Sequence, residues 1–261
     1  MLLKNKTALI FAANGAISQG VAKAMAREGA DVYLAAHRPE ALEPVVEGIA
    51  AAGGQVRVEH ADATDPASVQ QCVDKVYAQA GQIDVTFNGI GGRPSALGYP
   101  ARSTETTLDD FLIPLHKIVG SQFLTAREVA KKMMVSKEGA IITLSATLSG
   151  GTFAYMAGIT AACGAVESMT NALAGEFGPH GVRVNCVRGS AMPETRTIQE
   201  TGMRQAELRA QEEMTFAVPP LGRPVSVADT ANTAVFLASD LAAMLTAQMV
   251  TVCAGQFPTH I

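Results

Sequence analysis

Runs of consecutive apolar residues alternate along this chain with stretches of helical period. The first run, Thr7-Ala8-Leu9-Ile10-Phe11-Ala12, is apolar almost throughout. A strand of a parallel sheet covered on both faces has this composition, whereas a half-exposed strand alternates. Val21, Ala22, Met25 and Ala26 then fall at helical spacing, and Gly29 stands where a helix closes on a left-handed residue. Asp31 to Ala36 reads as a second strand, with Pro39 placed to open a helix that ends at Gly53-Gly54. Val56–His60, Ile83–Asn88, Ala140–Ser145, Val182–Val187 and Met249–Cys253 read as five more strands. Helices are expected from Asp65-Pro66 to about Gly81, from Thr107 to Lys137 with breaks at Pro114 and Gly120, from Thr160 to Phe177, and from Val227 to Ser239.

Gly89 to Thr104 is rich in Gly, Pro and Ser and reads as a long loop. Glu194 to Met214 is polar with a helical look, and 189–215 is expected to form a lid on the substrate side. No internal repeat or low-complexity linker divides the chain. Strand and helix in alternation predict one α/β domain over residues 1–261, a Rossmann-type doubly wound parallel sheet of about seven strands with helices on both faces.

Composition narrows the partners. Of 261 residues 48% are hydrophobic and 17% charged, which excludes disorder. Twenty Lys+Arg against 24 Asp+Glu give a net charge of −4 without blocks of either sign, so the basic stripe of a nucleic-acid binder is missing. The aromatic share of 5% argues against base stacking as well. The apolar run from Ala8 to Ala13 is too short to span a membrane and carries no cleavage-type signal, so the expected location is the cytoplasm. Cys72, Cys163, Cys186 and Cys253 form no Cys-x-x-Cys pair, so no metal site is expected; they read as small core residues in a reducing compartment.

An ordered set of short segments adds a family. Thr7-Ala8-Leu9-Ile10 leads the first strand, and Gly29-Ala30-Asp31-Val32 joins helix to strand. Ala61-Asp62-Ala63-Thr64-Asp65, Asn88-Gly89-Ile90-Gly91 and Gly178-Pro179-His180-Gly181-Val182-Arg183-Val184-Asn185 follow, then Gly222-Arg223-Pro224 and Val235-Phe236-Leu237-Ala238-Ser239-Asp240. Taken in this order they resemble the short-chain dehydrogenase/reductase family over essentially the whole length. The resemblance implies a nicotinamide dinucleotide, a small-molecule substrate, and a homodimer or homotetramer packed through the small-residue helix around Ile159 to Leu173.

The family's phosphate loop, Thr-Gly-x-x-x-Gly-x-Gly, aligns without gaps with Phe11, Ala12, Ala16 and Ser18, and the glycines are displaced to Gly15 and Gly20. Ala12-x5-Ser18-x-Gly20 is similar to the divergent, enoyl-reductase-like branch. The implied cofactor contacts are Gly15, Ile17, Arg38, Asp62, Ala63, Asn88 and Gly89. After the second strand an NAD site places an acidic residue on the ribose hydroxyls, but this chain has His37-Arg38. NADP is therefore favoured over NAD, and a chain that binds no dinucleotide remains open. Arg38 also reads as a solvated charge at a helix start, and Asp62 as a cap before Asp65-Pro66.

At the family's catalytic tetrad, Asn, Ser, Tyr and Lys, the aligned residues are Ile118, Ala146, Ile159 and Cys163. None of the four can take the family role. Ser145, one residue early, and Tyr155, four residues before Ile159, are the remaining candidates. On a strand Ser145 should face the other side, and Tyr155 lacks the Lys that depresses a phenol pKa. Cys163 as nucleophile and His116 or Lys117 as charge stand against plain packing and solvated readings. Two expectations follow: an NADP-dependent reductase of a small carbonyl or enoyl compound with non-standard chemistry, or an inactive reductase-fold subunit.

Overall fold

Buried parallel strands are apolar on both faces, as the first strand is, while the neighbouring central strand buries Thr86 and Asn88 and gives the hydroxyl and the amide a partner each. The computed structural model describes residues 1–202 and 219–257. Strands β1 (Thr7–Phe11), β2 (Asp31–Ala36), β3 (Gln55–His60), β4 (Val85–Asn88), β5 (Gly139–Ala146), β6 (Val182–Gly189) and β7 (Met249–Val252) form one sheet in the order β3-β2-β1-β4-β5-β6-β7. Every pairing is parallel, with Leu9 beside Tyr33 and Thr86, and Thr143 beside Asn88 and Cys186. All residues of β1 and β4 are buried, while β3 at the edge exposes Gln55, Arg57 and His60. The doubly wound α/β architecture expected from the pattern is therefore the one observed.

Helices α1 (Ala16–Arg27), α2 (Glu43–Ala51), α3 (Pro66–Ala80), α4 (Leu108–Pro114), α5 (Ser121–Ser136), α6 (Ala157–Phe177), α7 (Arg196–Gly202) and α8 (Val227–Ala238) cover the sheet. On one face α1, α2 and α8 enclose Ile10, Val21, Leu34 and Leu237; on the other α3, α5 and α6 enclose Leu9, Val73, Val129 and Leu173. Helix α1 closes as expected: Gly29 is left-handed (φ 92), and the amides of Gly29 and Ala30 reach back to Ala26 and Met25. Asp65 caps α3 by accepting from the Ala67 amide at 3.0 Å.

Two expectations change. Pro114 and Gly120 do not break the helical path; residues 115–120 continue it as a π-turn that carries Ile118. The excursion read over 194–214 begins as α7, and residues 203–214 lie outside the described residues.

Candidate functional site

The strands' C-terminal ends form the working edge of such a sheet, and the loop after β1 is its first element. Ala12 adopts a left-handed backbone (φ 52) where the family has glycine, at a cost of about 1–2 kcal/mol for a residue with a Cβ. Gly15, extended and exposed, caps α1 and donates its amide to the Ala12 carbonyl at 3.0 Å. Ser18 is fully buried and turns inward, with its hydroxyl on the Phe11 carbonyl at 3.2 Å. It fits because Gly89 has no side chain; a Cβ there would stand 2.0 Å from Ser18 Oγ. Gly20 serves helix packing instead, since a Cβ would meet Val227 of α8 at 2.3 Å. The displaced glycines thus leave the outer face of the loop open. The first-turn amides of α1 remain available to an anion, and the pyrophosphate of a dinucleotide fits this end.

The next three strand ends complete that half. Asn14 donates its side-chain amide to the Arg38 carbonyl at 3.2 Å, tying the β1 and β2 loops together. His37 and Arg38 are exposed. Asp62 accepts from the hydroxyl of Thr64 at 2.6 Å and from its amide at 2.9 Å, which holds its carboxyl below the usual range. His37 Nδ1 stands 3.7 Å from Asp62, and Ala63 is half-buried beside it. Asp65, not Asp62, is the helix cap. Asn88 is buried with its side chain already bonded to Thr86 and to the Gln122 carbonyl, so it shapes the strand end from within. The structure therefore gathers Gly15, Ile17, Arg38, Asp62, Ala63, Asn88 and Gly89 along one edge.

Beyond β4 the edge opens into an apolar cavity of about 250 Å³. Ile118, Ala146, Ile159 and Cys163 all line it, together with Ile17 from the first turn of α1. The positions aligned with the family tetrad thus converge in space and present alkyl groups and a thiol. Burial pushes the Cys163 thiol up to about 11, so near neutral pH it is a neutral packing group rather than a nucleophile. His116 and Lys117 are exposed, with Lys117 Nζ on the Ala96 carbonyl at 3.2 Å.

Ser145 lines the cavity, but its hydroxyl is committed to Glu167 Oε1 at 2.6 Å. Glu167 also accepts from Ser149 at 2.6 Å and pairs two-pronged with Arg188, the two charged side chains being only 12% and 13% exposed. Tyr155 is not brought into the cavity. Its backbone is left-handed (φ 63), its ring lies under the Arg102 guanidinium at 5.7 Å, and it borders a neighbouring polar groove with Ala101 and Glu105. Two residues escaped the sequence reading. Glu167 follows Cys163 by one helical turn, a spacing that places both on one face of α6. Tyr99, in the aperiodic loop after β4, reaches the cavity with no local signal to announce it.

Among the described residues no three His, Cys, Asp or Glu side chains gather as a metal site, and no helix is long and apolar enough to cross a membrane.

Comparison with known proteins agrees with this geometry. Residues 11–256 match a family model described as enoyl-(acyl carrier protein) reductase. The chain is 29% identical to the uncharacterized oxidoreductase YxbG of Bacillus subtilis, over 97% of this chain and 91% of that one. It is 30% identical to the L-rhamnose 1-dehydrogenase (NAD(P)(+)) of a Sphingomonas species, over 98% of both. The structure of a 7 alpha-hydroxysteroid dehydrogenase complexed with NADH and 7-oxo glycochenodeoxycholic acid superposes with a TM-score of 0.86 at 25% identity, covering 97% of this chain and 94% of that one. Fold and relatives together define a class of dinucleotide-type α/β oxidoreductases. The chain belongs to the short-chain dehydrogenase/reductase family.

Proposed function

We propose that the protein is a nicotinamide-dependent reductase that takes NADP(H) in preference to NAD(H) and a small apolar carbonyl or enoyl compound, without the family's proton-transfer tetrad. The reading rests on continuity: Ile17, beside the open phosphate loop, walls the same cavity as Ile118, Ala146, Ile159 and Cys163. When bound, the dinucleotide supplies the hydride. In this reading Gly15 and the first-turn amides of α1 hold its pyrophosphate, and Arg38 with His37 meets the 2′-phosphate. Asp62 and Ala63 border the adenine, while Asn88 and Gly89 fix the floor. The alkyl walls orient the substrate and exclude bulk water. Ser145 is held by Glu167 and positions the end of β5. Tyr155 stands outside the cavity, so water supplies the proton. The working form is a homo-oligomer in the cytoplasm, packed through α6.

Titration of NADPH and NADH, followed by nucleotide fluorescence, tests the reading. Micromolar binding of NADPH and weaker binding of NADH are expected, and Arg38→Ala should erase the difference. Failure of both to bind overturns it. A second reading, a binding subunit without turnover, is favoured by the alkyl groups at the tetrad positions. NADPH that binds but is never consumed with 2-alkanones or 2-enoyl thioesters of graded length would support that one.

A further inference from the structure

Most polar side chains that reach the cavity are already engaged. Ser145 is bonded to Glu167 at 2.6 Å, and Thr195 donates to the Met192 carbonyl at 2.8 Å. Tyr99 differs. It is 8% exposed, lines the cavity, and packs in one cluster with Leu97, Ile118, Met156, Ile159 and Cys163. Its hydroxyl has no hydrogen-bond partner among the described residues, and a ligand that covered it without accepting from it would leave its O–H desolvated and unpaired. Burial also holds its ionisation well above the ordinary phenol range, with Cys163 and Glu200 adding to the rise. The group is therefore a neutral donor at any physiological pH. Thr147 lines the cavity too, with no hydroxyl partner among the described residues, and it supplies the comparison hydroxyl.

We propose that Tyr99 is the specificity-determining donor of this cavity, its hydroxyl hydrogen-bonding the oxygen of a neutral, otherwise apolar ligand. The site then selects carbonyl compounds, which accept from the O–H they cover, over hydrocarbons of the same shape, which cover it and leave it bare. No step of bond making is involved. The proposal rests on reading the cavity as a ligand site, and it stands whether or not a dinucleotide binds.

Menthone and p-menthane share a carbon skeleton and differ by the carbonyl, so the pair isolates the interaction. Binding is followed through the methyl resonances of Met156 and Met192, both of which line the cavity. Tyr99→Phe removes only the hydroxyl and should weaken menthone about three- to tenfold, the scale of one neutral hydrogen bond. The affinity for p-menthane should stay within about twofold. Thr147→Val should leave the difference between the two ligands as in the native chain. In the native protein the carbonyl carbon of ¹³C-labelled menthone should move downfield on binding, and the shift should vanish with Tyr99→Phe. Equal losses for both ligands, or an unmoved carbonyl resonance, overturn the assignment of Tyr99. If neither compound perturbs the methionine methyls, the cavity reading falls and the proposal with it. Absence of NADPH binding with menthone selectivity intact would instead overturn only the dinucleotide reading.

Discussion

Ser18 and Gly89 exchange places in a way that a single-position comparison misses. A side chain appears where the family's loop has glycine, and the room for it comes from a glycine just past the end of β4. Gly89→Ala should destabilise the fold by about 1–3 kcal/mol in urea unfolding, because the new Cβ meets a fully buried Ser18. Adding Ser18→Gly should recover only part of that loss, since the new Cβ also stands 2.8 Å from Phe87, and a double-mutant cycle reads the coupling directly. Cys163 gives a second check at this scale. With its thiol pushed up to about 11, labelling by a small methanethiosulfonate reagent should be slow near neutral pH and accelerate about tenfold per pH unit on the way up. Glu167 carries more weight than either. Glu167→Ala strands Arg188 in a nearly closed site and should cost about 3–5 kcal/mol, whereas a lost surface ion pair would scarcely register.

Elements were legible in proportion to how repetitive their demands are. A strand buried on both faces is predominantly apolar, so β1 and the Ala140–Ile142 stretch of β5 stand out in the sequence. Caps are local too: Asp65-Pro66 and Gly29 mark their helix ends within a few residues. The π-turn at 115–120 was not legible, since Pro114 and Gly120 have the look of breakers and the packing of this segment against α6 is a tertiary feature. Helix α8 begins with a capping box, Ser226 and Asp229 bonding each other's backbone amides, and Arg223 grips the same carboxylate. The Arg223 guanidinium holds Asp229 well below the usual carboxylate range, with Ser226 adding to it. A carboxyl with a depressed native pKa stabilises above its unfolded value of about 4, and that contribution fades as pH falls below it. Acid unfolding of Asp229→Asn should therefore begin from a lower stability and show a shallower decline below about pH 4.

At the scale of the molecule, the fold was legible and the site only partly so. The tetrad positions could be placed because strand and helix registers carried them: Ile118, Ala146, Ile159 and Cys163 do meet around one space. Tyr99 could not, because an aperiodic loop fixes no direction for its side chains. Ser145 facing Glu167 required knowing which helix covers β5. If the dinucleotide reading holds, NADPH at a hundred times its Kd should raise the unfolding free energy by about 2.7 kcal/mol, visible as a concentration-dependent melting temperature.

One small feature beside the cavity has a use in time rather than in space. Beta-strand pairing of β4 with β5 stops at Asn88 and Thr143, and the next residue, Leu144, finds its bonds in a side chain. Gln122 Oε1 accepts its amide at 3.1 Å and Gln122 Nε2 donates to its carbonyl at 2.9 Å, a primary amide standing in for a missing strand. The Leu144 proton is thus shielded from solvent deuterium only while α5 is seated. Its exchange rate, compared with that of Thr143 one residue earlier, times how often the helix beside the cavity lifts. Gln122→Ala should accelerate exchange at Leu144 far more than at its neighbours, turning that amide into a clock for the site's breathing.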